Sequence, residues 1–454
     1  MKRTALQVCL AAVCLIAVAT AGWTQQPQNK EVRKVTLQDA ISLALANNNS
    51  ITIAREVYNQ SVGRIKEVRS DVLPQLDVTA STQETGPLPK ISLGGGPSVA
   101  IGTSNTTTAT AALTQVIDLN GRKRLSTDIA SLQSYAQRLD LEQTERQVIL
   151  DTQTVFYTVR LAQAQLEVVM ASLTAAREQL RISQAQFDAG TAPKFDVTRA
   201  QVEVANIEQS AITAGNRIEL GKAALNTVMG LDATSPIEVV SEQPKAEPLK
   251  ESLENSVKLA TTNRPEVKAA QLHLDASKKG ISFAKRERIP TLSAMANYNY
   301  SGPSSLFRPN TLTWVVGLTT SFPLFDGGAI SARVSQAKNG AGAAEAALAQ
   351  VKLNVTLEVA VSMLDVNEAL ERSKTTTQNV AEAEEALRLA QVRYQSGIAV
   401  QVEVTDAEEA LTRARSNHVS ALYDYATALA RYQKATATQP QYASAPETAG
   451  GAKS

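Results

Sequence analysis

Cysteine, histidine and aromatic residues are all scarce in this chain of 454 residues. Two cysteines and two histidines leave almost no material for zinc, haem or cysteine–histidine catalysis. Aromatic residues make up only 4 % of the chain, which is low for a compact enzyme, although the 43 % of hydrophobic residues can form a large core. The net charge is +1, so the basic excess of a nucleic-acid-binding protein is absent. We therefore predict no enzyme activity, no catalytic residues, no metal or cofactor and no nucleic-acid partner.

The N-terminus has the features of a cleaved signal peptide. A basic start, Met1-Lys2-Arg3, precedes a mostly apolar stretch that ends in Ala19-Thr20-Ala21. Because small-x-small sequences are typical of signal peptidase sites, we predict that residues 1–21 are removed. A membrane anchor is the alternative, but the stretch is near the lower limit of the ~20 residues that a spanning helix needs. Cys9 and Cys14 both lie in the predicted signal, so the exported chain would contain no cysteine.

The rest of the chain contains an internal duplication of roughly two hundred residues. Three pairs of segments match in the same order: Phe187 to Ala200 with Tyr394 to Ala407, Leu119-Asn120-Gly121 with Phe325-Asp326-Gly327, and Leu73-Pro74 with Ile289-Pro290. These matches predict one repeat at residues 35–230 and another at 250–434, joined by a polar, proline-bearing linker at 231–249. The end of the chain lacks apolar periodicity, so we predict a disordered tail at 435–454.

Long proline-free segments predict long helices in both repeats. No proline occurs from 98 to 192, from 194 to 235 or from 324 to 439, and a proline inside a helix costs ~3 kcal/mol. Small or apolar residues recur by alternate steps of four and three from Val148 to Phe187, and again from Val355 to Tyr394. This 3.5-residue spacing is typical of coiled coils. Each repeat is therefore expected to contain a helix of ~100 Å and a shorter helix that runs back beside it.

Two stretches between the helices of each repeat alternate as β-strands do. We predict strands at about residues 75–83 and 106–116 in the first repeat, and at about 291–300 and 311–322 in the second. Tyr298, Tyr300 and Trp314 lie near strand ends, as interface aromatics of a membrane barrel would. A half-buried hairpin in a soluble domain is the alternative. Because a membrane barrel needs at least ~8 strands, the membrane interpretation requires the chain to oligomerise.

In the order and duplicated spacing of these motifs, the chain resembles the TolC family of outer-membrane efflux proteins from about Val35 to Lys434. The resemblance implies a mainly α-helical fold with a β-barrel part, built as two helix–hairpin–helix repeats. A homotrimer would form one twelve-stranded barrel in outer-membrane lipid, continued by a coiled-coil tunnel in the periplasm. Substrates expelled by an inner-membrane pump would pass through a periplasmic adaptor and leave passively, in efflux or type I secretion. The alternative is an exported periplasmic coiled-coil protein without a pore.

The resemblance also implies a gate at the periplasmic end of the tunnel. Tyr394 stands at the family's gate tyrosine, Asp196 at its partner acid, and Glu403 and Asp406 at the two acidic-ring positions. Ala399 stands where the family has a gate arginine, so one latch is missing. Apart from the family, Glu403 and Asp406 share a helix face at i, i+3, and three copies around an axis would favour cations. Their alternative role is that of acids at a helix start, where the helix dipole favours them.

The turns between the paired helices are the expected adaptor contacts. By resemblance, these contacts fall on Gly190-Thr191 in the first repeat and on Gly397-Ile398 in the second. The alternative is that each pair forms a plain helix–helix turn. The nearby acidic pair Glu408-Glu409 is interpreted as a solvated helix face.

Overall fold

The computed structural model describes residues 32–86, 90–91, 95, 99–100, 105–303 and 311–439. The elements of the first repeat are β1 (Arg33–Val35), α1 (Leu37–Asn47), α2 (Asn49–Ser70), β2 (Gln75–Glu84), β3 (Lys90–Ile91), β4 (Val99–Ala100), β5 (Asn105–Ile117), α3 (Arg122–Asp188) and α4 (Lys194–Val228). Then follow β6 (Ile237–Val239), α5 (Leu253–Asn263), α6 (Pro265–Lys285), a 3₁₀ turn (Arg286–Arg288), β7 (Thr291–Pro303), β8 (Thr311–Ser321), α7 (Ala329–Gln395) and α8 (Gln401–Ala435). This order confirms the predicted mainly α-helical fold with two helix–hairpin–helix repeats. The predicted signal peptide lies outside the described residues.

Two helical hairpins, α3–α4 and α7–α8, form the longest part of the fold. The long helices α3 and α7 each have 67 residues, and the returning helices α4 and α8 each have 35. At 1.5 Å per residue a long helix measures about 100 Å. The residues of the predicted coiled-coil seams are buried or half-buried in both hairpins, except Phe187, which is exposed at the end of α3. The 3.5-residue spacing therefore marks the packed face of each hairpin.

Four strands form one antiparallel sheet in the order β2-β5-β7-β8. Each repeat supplies one hairpin, and β5 pairs with β7 to join the two repeats. One face of the sheet is apolar and exposed: Leu76, Val78, Trp314, Val316 and Leu318. The other face carries mostly hydroxyl and amide groups: Thr79, Ser81, Thr108, Asn297 and Asn299. A soluble hairpin would bury its apolar face on a core, so the soluble alternative does not fit this sheet.

The segment at 231–249 is more than the predicted linker. It contains β6, which pairs in parallel with β1. Ile237 and Val239 of β6 are buried and pack in one cluster with Phe156 of α3 and Leu225 of α4. Sequence periodicity cannot detect a strand of only three residues. The burial of its two apolar residues is explained only by the pairing of β6 with β1.

The predicted disordered tail does not begin at residue 435. Ala435 ends α8, and its carbonyl accepts a hydrogen bond from Nη1 of Arg264 at 3.3 Å. Thr436 and Gln439 are buried beyond it. The prediction is therefore wrong for residues 435–439, which form the ordered end of the second repeat, while residues 440–454 lie outside the described residues.

Candidate channel entrance at the helix tips

Each helical hairpin ends in a turn of the same geometry. Gly190 and Gly397 have φ values of 74° and 71°, in the left-handed region that glycine adopts readily at helix ends. In the first turn the Thr191 amide donates to the carbonyl of Gln186 at 2.8 Å, and the equivalent bond, donated by Ile398, closes the second. A Cβ at either glycine would meet open space, so the backbone conformation, and not crowding, requires glycine there.

Apolar side chains beside both turns are exposed. Phe195 follows the first turn at the start of α4, and Ile398 and Val400 lie in the second turn. Thr191 is exposed as well. Large apolar groups that gather at one end of a molecule and remain in water are typical of a contact site for another protein. The tips therefore offer a surface for a partner.

Polar contacts hold the two tips against each other. The Tyr394 hydroxyl donates to Oε1 of Gln186 at 3.0 Å. Close by, Nε2 of Gln401 donates to Oγ of Ser183 at 3.1 Å. Bonds between neutral groups contribute only about 0.5–1.5 kcal/mol each. These two bonds therefore align the hairpins, and separating the hairpins would cost little free energy.

The structure does not bring Tyr394 and Asp196 together within one chain. The partner of the Tyr394 hydroxyl is Gln186, which the sequence reasoning missed. Asp196 lies half-exposed in the first turn of α4, where the helix dipole favours its charge. Gln186 could have been found only from the spatial neighbourhood of the two turns, because the two residues belong to different repeats.

Glu403 has an arginine partner that the sequence reasoning also missed. Nη2 of Arg393 lies 3.5 Å from Oε2 of Glu403 across the second turn. Ala399 supplies no such group, but Arg393, at the end of α7, does. Both side chains are largely exposed, and such a pair is worth only about 0–1 kcal/mol. Asp406 lies exposed one turn further along α8.

Behind the tips, an open groove of about 930 Å³ is lined mainly by α3, α4 and α8. Glu203 of α4 and Glu408 of α8 both line it. Burial raises the pKa of Glu408, and the negative charge of Glu203 raises that pKa further. Glu408 is therefore only partly solvated, which limits the interpretation of the pair as a solvated helix face, whereas Glu409 is exposed. The helical pattern around Glu408 cannot reveal an acid that approaches from the other repeat.

Metal-binding groups do not gather anywhere in the part of the chain that the structure describes: no cluster of three or more His, Cys, Asp or Glu side chains could hold an ion there. His418 instead has its Nδ1 atom 3.3 Å from the Thr376 hydroxyl, in a helix–helix contact. The charged side chains at the tips can attract or repel ionic solutes, and the exposed apolar side chains there can bind a partner protein.

These features define a protein with two helical hairpins and a membrane-type sheet. The chain belongs to the outer membrane efflux protein family, whose model matches residues 40–231 and 257–438. It is similar to the outer membrane protein TolC of Vibrio cholerae, with 25 % identity over 300 residues, 65 % of this chain and 68 % of TolC. It is similar to the solvent efflux pump outer membrane protein SrpC of Pseudomonas putida, with 28 % identity over 330 residues, 69 % of this chain and 67 % of SrpC. The crystal structure of the outer membrane protein VceC from Vibrio cholerae has a TM-score of 0.72 and 20 % identity, covering 88 % of this chain and 95 % of VceC.

Family membership confirms the resemblance to the TolC family, the outer-membrane location and the efflux-channel function. It decides against the alternative of a periplasmic coiled-coil protein without a pore. The relatives are described as outer-membrane and efflux proteins, which fits the prediction that the chain is not an enzyme.

Proposed function

We propose that three copies of this chain form the outer-membrane channel of a tripartite pump and give passive exit to substrates delivered by an inner-membrane pump through a periplasmic adaptor. The open four-stranded sheet is the observation that carries the proposal. Its apolar face is exposed, and β2 and β8 are its two edges. Because an open edge is not tolerated in lipid, the sheet must be completed by other strands. Three copies supply twelve strands, enough for a closed membrane barrel with the polar face towards the pore.

The internal repeat indicates how neighbouring copies pack. Within the chain, α3 of the first repeat packs against α8 of the second, where the rings of Tyr157 and Tyr423 lie 6.5 Å apart. No comparable contact joins α7 to α4 inside the described chain. The repeat therefore predicts that α7 of one copy packs on α4 of the next, as α3 packs on α8.

The two helices that lack this contact both expose apolar side chains. Those side chains are Leu353, Leu357 and Leu364 on α7, with Ile212 and Leu220 on α4. By length and composition alone α7 could cross a membrane, since one 18-residue window has a mean hydropathy of 1.3. Its three exposed leucines, however, follow a helical spacing on one side of α7. That spacing supports packing against a neighbouring helix.

The repeat also predicts the register of the strand joint between copies. Aligning the two proline-bearing strand entries superposes β2 on β7, and the hairpin registers then superpose β5 on β8. Inside the chain, Ala111 of β5 lies opposite Tyr298 of β7. The equivalent joint places Leu318 of β8 opposite Thr82 of β2 in the next copy.

Cysteine cross-linking tests this joint, because the exported chain is predicted to contain no cysteine. A chain with Leu318→Cys and Thr82→Cys should form covalent dimers and trimers on oxidation, since opposite Cβ atoms lie about 4.5–5.5 Å apart. The matched control combines Leu318→Cys with Ser81→Cys, whose side chain lies on the other face of the sheet, and should remain monomeric on a denaturing gel. Cross-links in the control alone would show a slipped register. Monomers in both would contradict closure through β8 and β2.

We further propose that Tyr394, Asp196, Glu403 and Asp406 form the gate of this channel. The bond from Tyr394 to Gln186 supports a closed arrangement of the hairpins in each copy. Glu403 and Asp406 share one face of α8, and three copies around the axis would concentrate negative charge. Such a ring would draw in cations at the narrow end of the tunnel.

For the adaptor, we propose contact at the two turns, Gly190-Thr191 and Gly397-Ile398. The exposed Phe195, Ile398 and Val400 beside these turns support the proposal, because an adaptor would remove their apolar surfaces from water. Two similar turns in each copy would present several such contacts around the channel end.

A further inference from the structure

The most exposed large apolar side chains of the described chain lie in the turn between β8 and α7. Leu324 is 88 % exposed and Phe325 is 91 % exposed, and Phe322 beside them is 51 % exposed. We call residues 322–325 the apolar turn. Neither the sheet nor the helices of the chain cover it, although burying such side chains is worth about 1.5–3 kcal/mol each.

A second copy of the chain could cover the apolar turn. The first repeat shows how well a packed neighbour covers the equivalent turn. The equivalent turn of the first repeat carries Leu119 and Asn120, and the second repeat is already packed against it. Asn120 is buried there, and its carbonyl accepts a hydrogen bond from Nη1 of Arg286 at 3.1 Å. Leu119 nevertheless remains 67 % exposed. A neighbouring repeat therefore leaves this position of the turn uncovered.

Lipid is the occupant that the position of the apolar turn fits. Trp314 lies on the apolar face of β8, and Phe322 follows the last residue of that strand, eight residues and about 26 Å further along at 3.3 Å per residue. Outer-membrane barrels carry an apolar band about 25 Å tall, with aromatic residues at both of its interfaces, and their strands tilt by about 35–45°. At that tilt the segment from Trp314 to Phe322 spans roughly 18–21 Å of the band, and residues 323–325 continue beyond it. Trp314 would thus mark one interface, and the apolar turn would reach the other, on the side of the helices.

An exposed cation stands beside the apolar turn. Arg288, in the 3₁₀ turn after α6, is exposed and interacts electrostatically with Asp326, the residue that follows the apolar turn. Lys285 is exposed three residues before Arg288, at the end of α6. That 3₁₀ turn is held next to the first turns of α7, because Nη1 of Arg333 lies 2.8 Å from Oε2 of Glu287. Apolar side chains flanked by lysine and arginine are complementary to acyl chains and the phosphate groups above them.

We propose that the apolar turn inserts into the inner leaflet of the outer membrane and anchors each copy at the boundary between barrel and tunnel. The inference rests on the proposed membrane barrel. It adds a lipid contact outside the strands. Only the second repeat carries it in this form, because the first repeat has Asp118 where the second has Leu324.

Tryptophan fluorescence in lipid vesicles tests the anchor. Phe325→Trp is made in the full chain together with Trp23→Phe and Trp314→Phe, so that a single tryptophan reports on the turn. In phosphatidylethanolamine–phosphatidylglycerol vesicles, phospholipids with brominated acyl chains should lower its fluorescence about twofold or more, because an inserted ring contacts those chains. Leu324→Trp in the same background provides a second probe if the first variant fails to assemble. Quenching by aqueous iodide alone, or protection from both quenchers, would overturn the anchor.

Two reference chains separate this proposal from the barrel itself. The variant Trp23→Phe keeps Trp314 as its reporter, and brominated lipid should quench it if the sheet lies in the membrane. The variant Leu389→Trp, in the tryptophan-free background, should resist lipid quenching because position 389 lies near the end of α7 that is far from the sheet. Quenching of Trp314 without quenching at position 325 contradicts the anchor alone. Absence of quenching at both positions contradicts the barrel.

Discussion

Asn48 in the first repeat and Arg264 in the second occupy the same place in the fold, yet they differ in charge. Each side chain donates to the carbonyl of the last residue of its returning helix, Asn48 Nδ2 to Val228 at 2.8 Å and Arg264 Nη1 to Ala435 at 3.3 Å. Asn48 does so as a neutral amide. Arg264 is a buried charge, 4 % exposed, with Nη2 only 2.6 Å from Oε2 of Glu358. The duplication has thus preserved a backbone joint while the side chains that hold it have diverged.

The ends of the repeats show the same kind of divergence. Gly230 closes the first repeat with φ of 71°, and Ala437 closes the second with φ of 58°. Ala437 is the one non-glycine residue with positive φ in the part of the chain that the structure describes. A Cβ at position 230 would collide with the carbonyl of Asn47, whereas the turn at 437 already accommodates one. The same type of backbone turn is therefore free of strain at Gly230 in the first repeat and strained at Ala437 in the second.

The tips differ in charge. At the start of α8 the second repeat carries Glu403 and Asp406, and the equivalent positions of α4 carry Asp196 and Arg199. An acid and a base largely cancel at the first tip, whereas at the second tip Arg393 offsets only one of the two acids. We therefore expect any cation preference of the entrance to come from the second repeat.

The largest effect is expected from removing the buried charge of the second repeat. Arg264→Ala removes the buried partner of Glu266 and Glu358, and breaking a buried ion pair typically costs about 3–5 kcal/mol. The lower end of that range is expected, because Glu358 keeps Lys434, whose Nζ lies 3.4 Å from its Oε1.

Asn48→Ala, the matched change in the first repeat, removes the bond to the Val228 carbonyl and the N-cap bond that the Ser50 amide donates to Asn48 Oδ1, for about 1–3 kcal/mol. Urea unfolding in detergent, followed by circular dichroism, measures both free energies. Equal losses of unfolding free energy would show that Arg264 contributes only as a hydrogen-bond donor, as Asn48 does, and that its charge adds nothing.

An intermediate effect, on conduction, is expected at the tips. Glu403→Ala with Asp406→Ala should lower the cation preference in planar-bilayer recordings, because the acidic ring is then lost. Asp196→Ala with Arg199→Ala is the control, and it should leave that preference nearly unchanged because its net charge change is zero. If only the control variant changed the selectivity, the charged residues of α4 would set the cation preference, and its assignment to the acids of α8 would be wrong.

The smallest effect is expected at the closing turns. Ala437→Gly should stabilise the chain by about 0.5–1 kcal/mol, since relief of left-handed strain, about 1–2 kcal/mol, exceeds the added entropy of the unfolded glycine. Gly230→Ala should cost about 1–2 kcal/mol or more, because strain and the collision with Asn47 act together. Thermal unfolding of the two variants measures the difference. A destabilised Ala437→Gly chain would show that its methyl group contributes packing that outweighs the strain.

Much of the fold was predictable because its signals are local. The 3.5-residue seam needs only neighbouring turns of one helix, and the residues from Val355 onward are buried as those from Val148 onward are. The alternation of the strands is equally local. Ile237 and Val239 were missed because their burial depends on β1. The order at 435–439 was missed because it depends on distant contacts, of Ala435 with Arg264 and of Gln439 with Arg146.

The candidate site was less predictable because its contacts join the two repeats. Gly190 and Gly397 are visible in sequence, since a left-handed turn calls for glycine. The bond from Tyr394 to Gln186 and the acid pair formed by Glu203 and Glu408 cross between the repeats, and no spacing along the chain encodes them.

By itself, the amino-acid sequence determined the duplicated helical hairpins and the alternating strands, because periodicity and turn residues act over short distances; the export signal at the N-terminus stays a prediction. Only the tertiary structure decided which groups meet across the repeats, which apolar faces remain without a partner, and that the apolar turn at 322–325 stays exposed. The physical reason is that burial and electrostatic interaction depend on distance in space. Residues two hundred positions apart come together only when the two repeats pack.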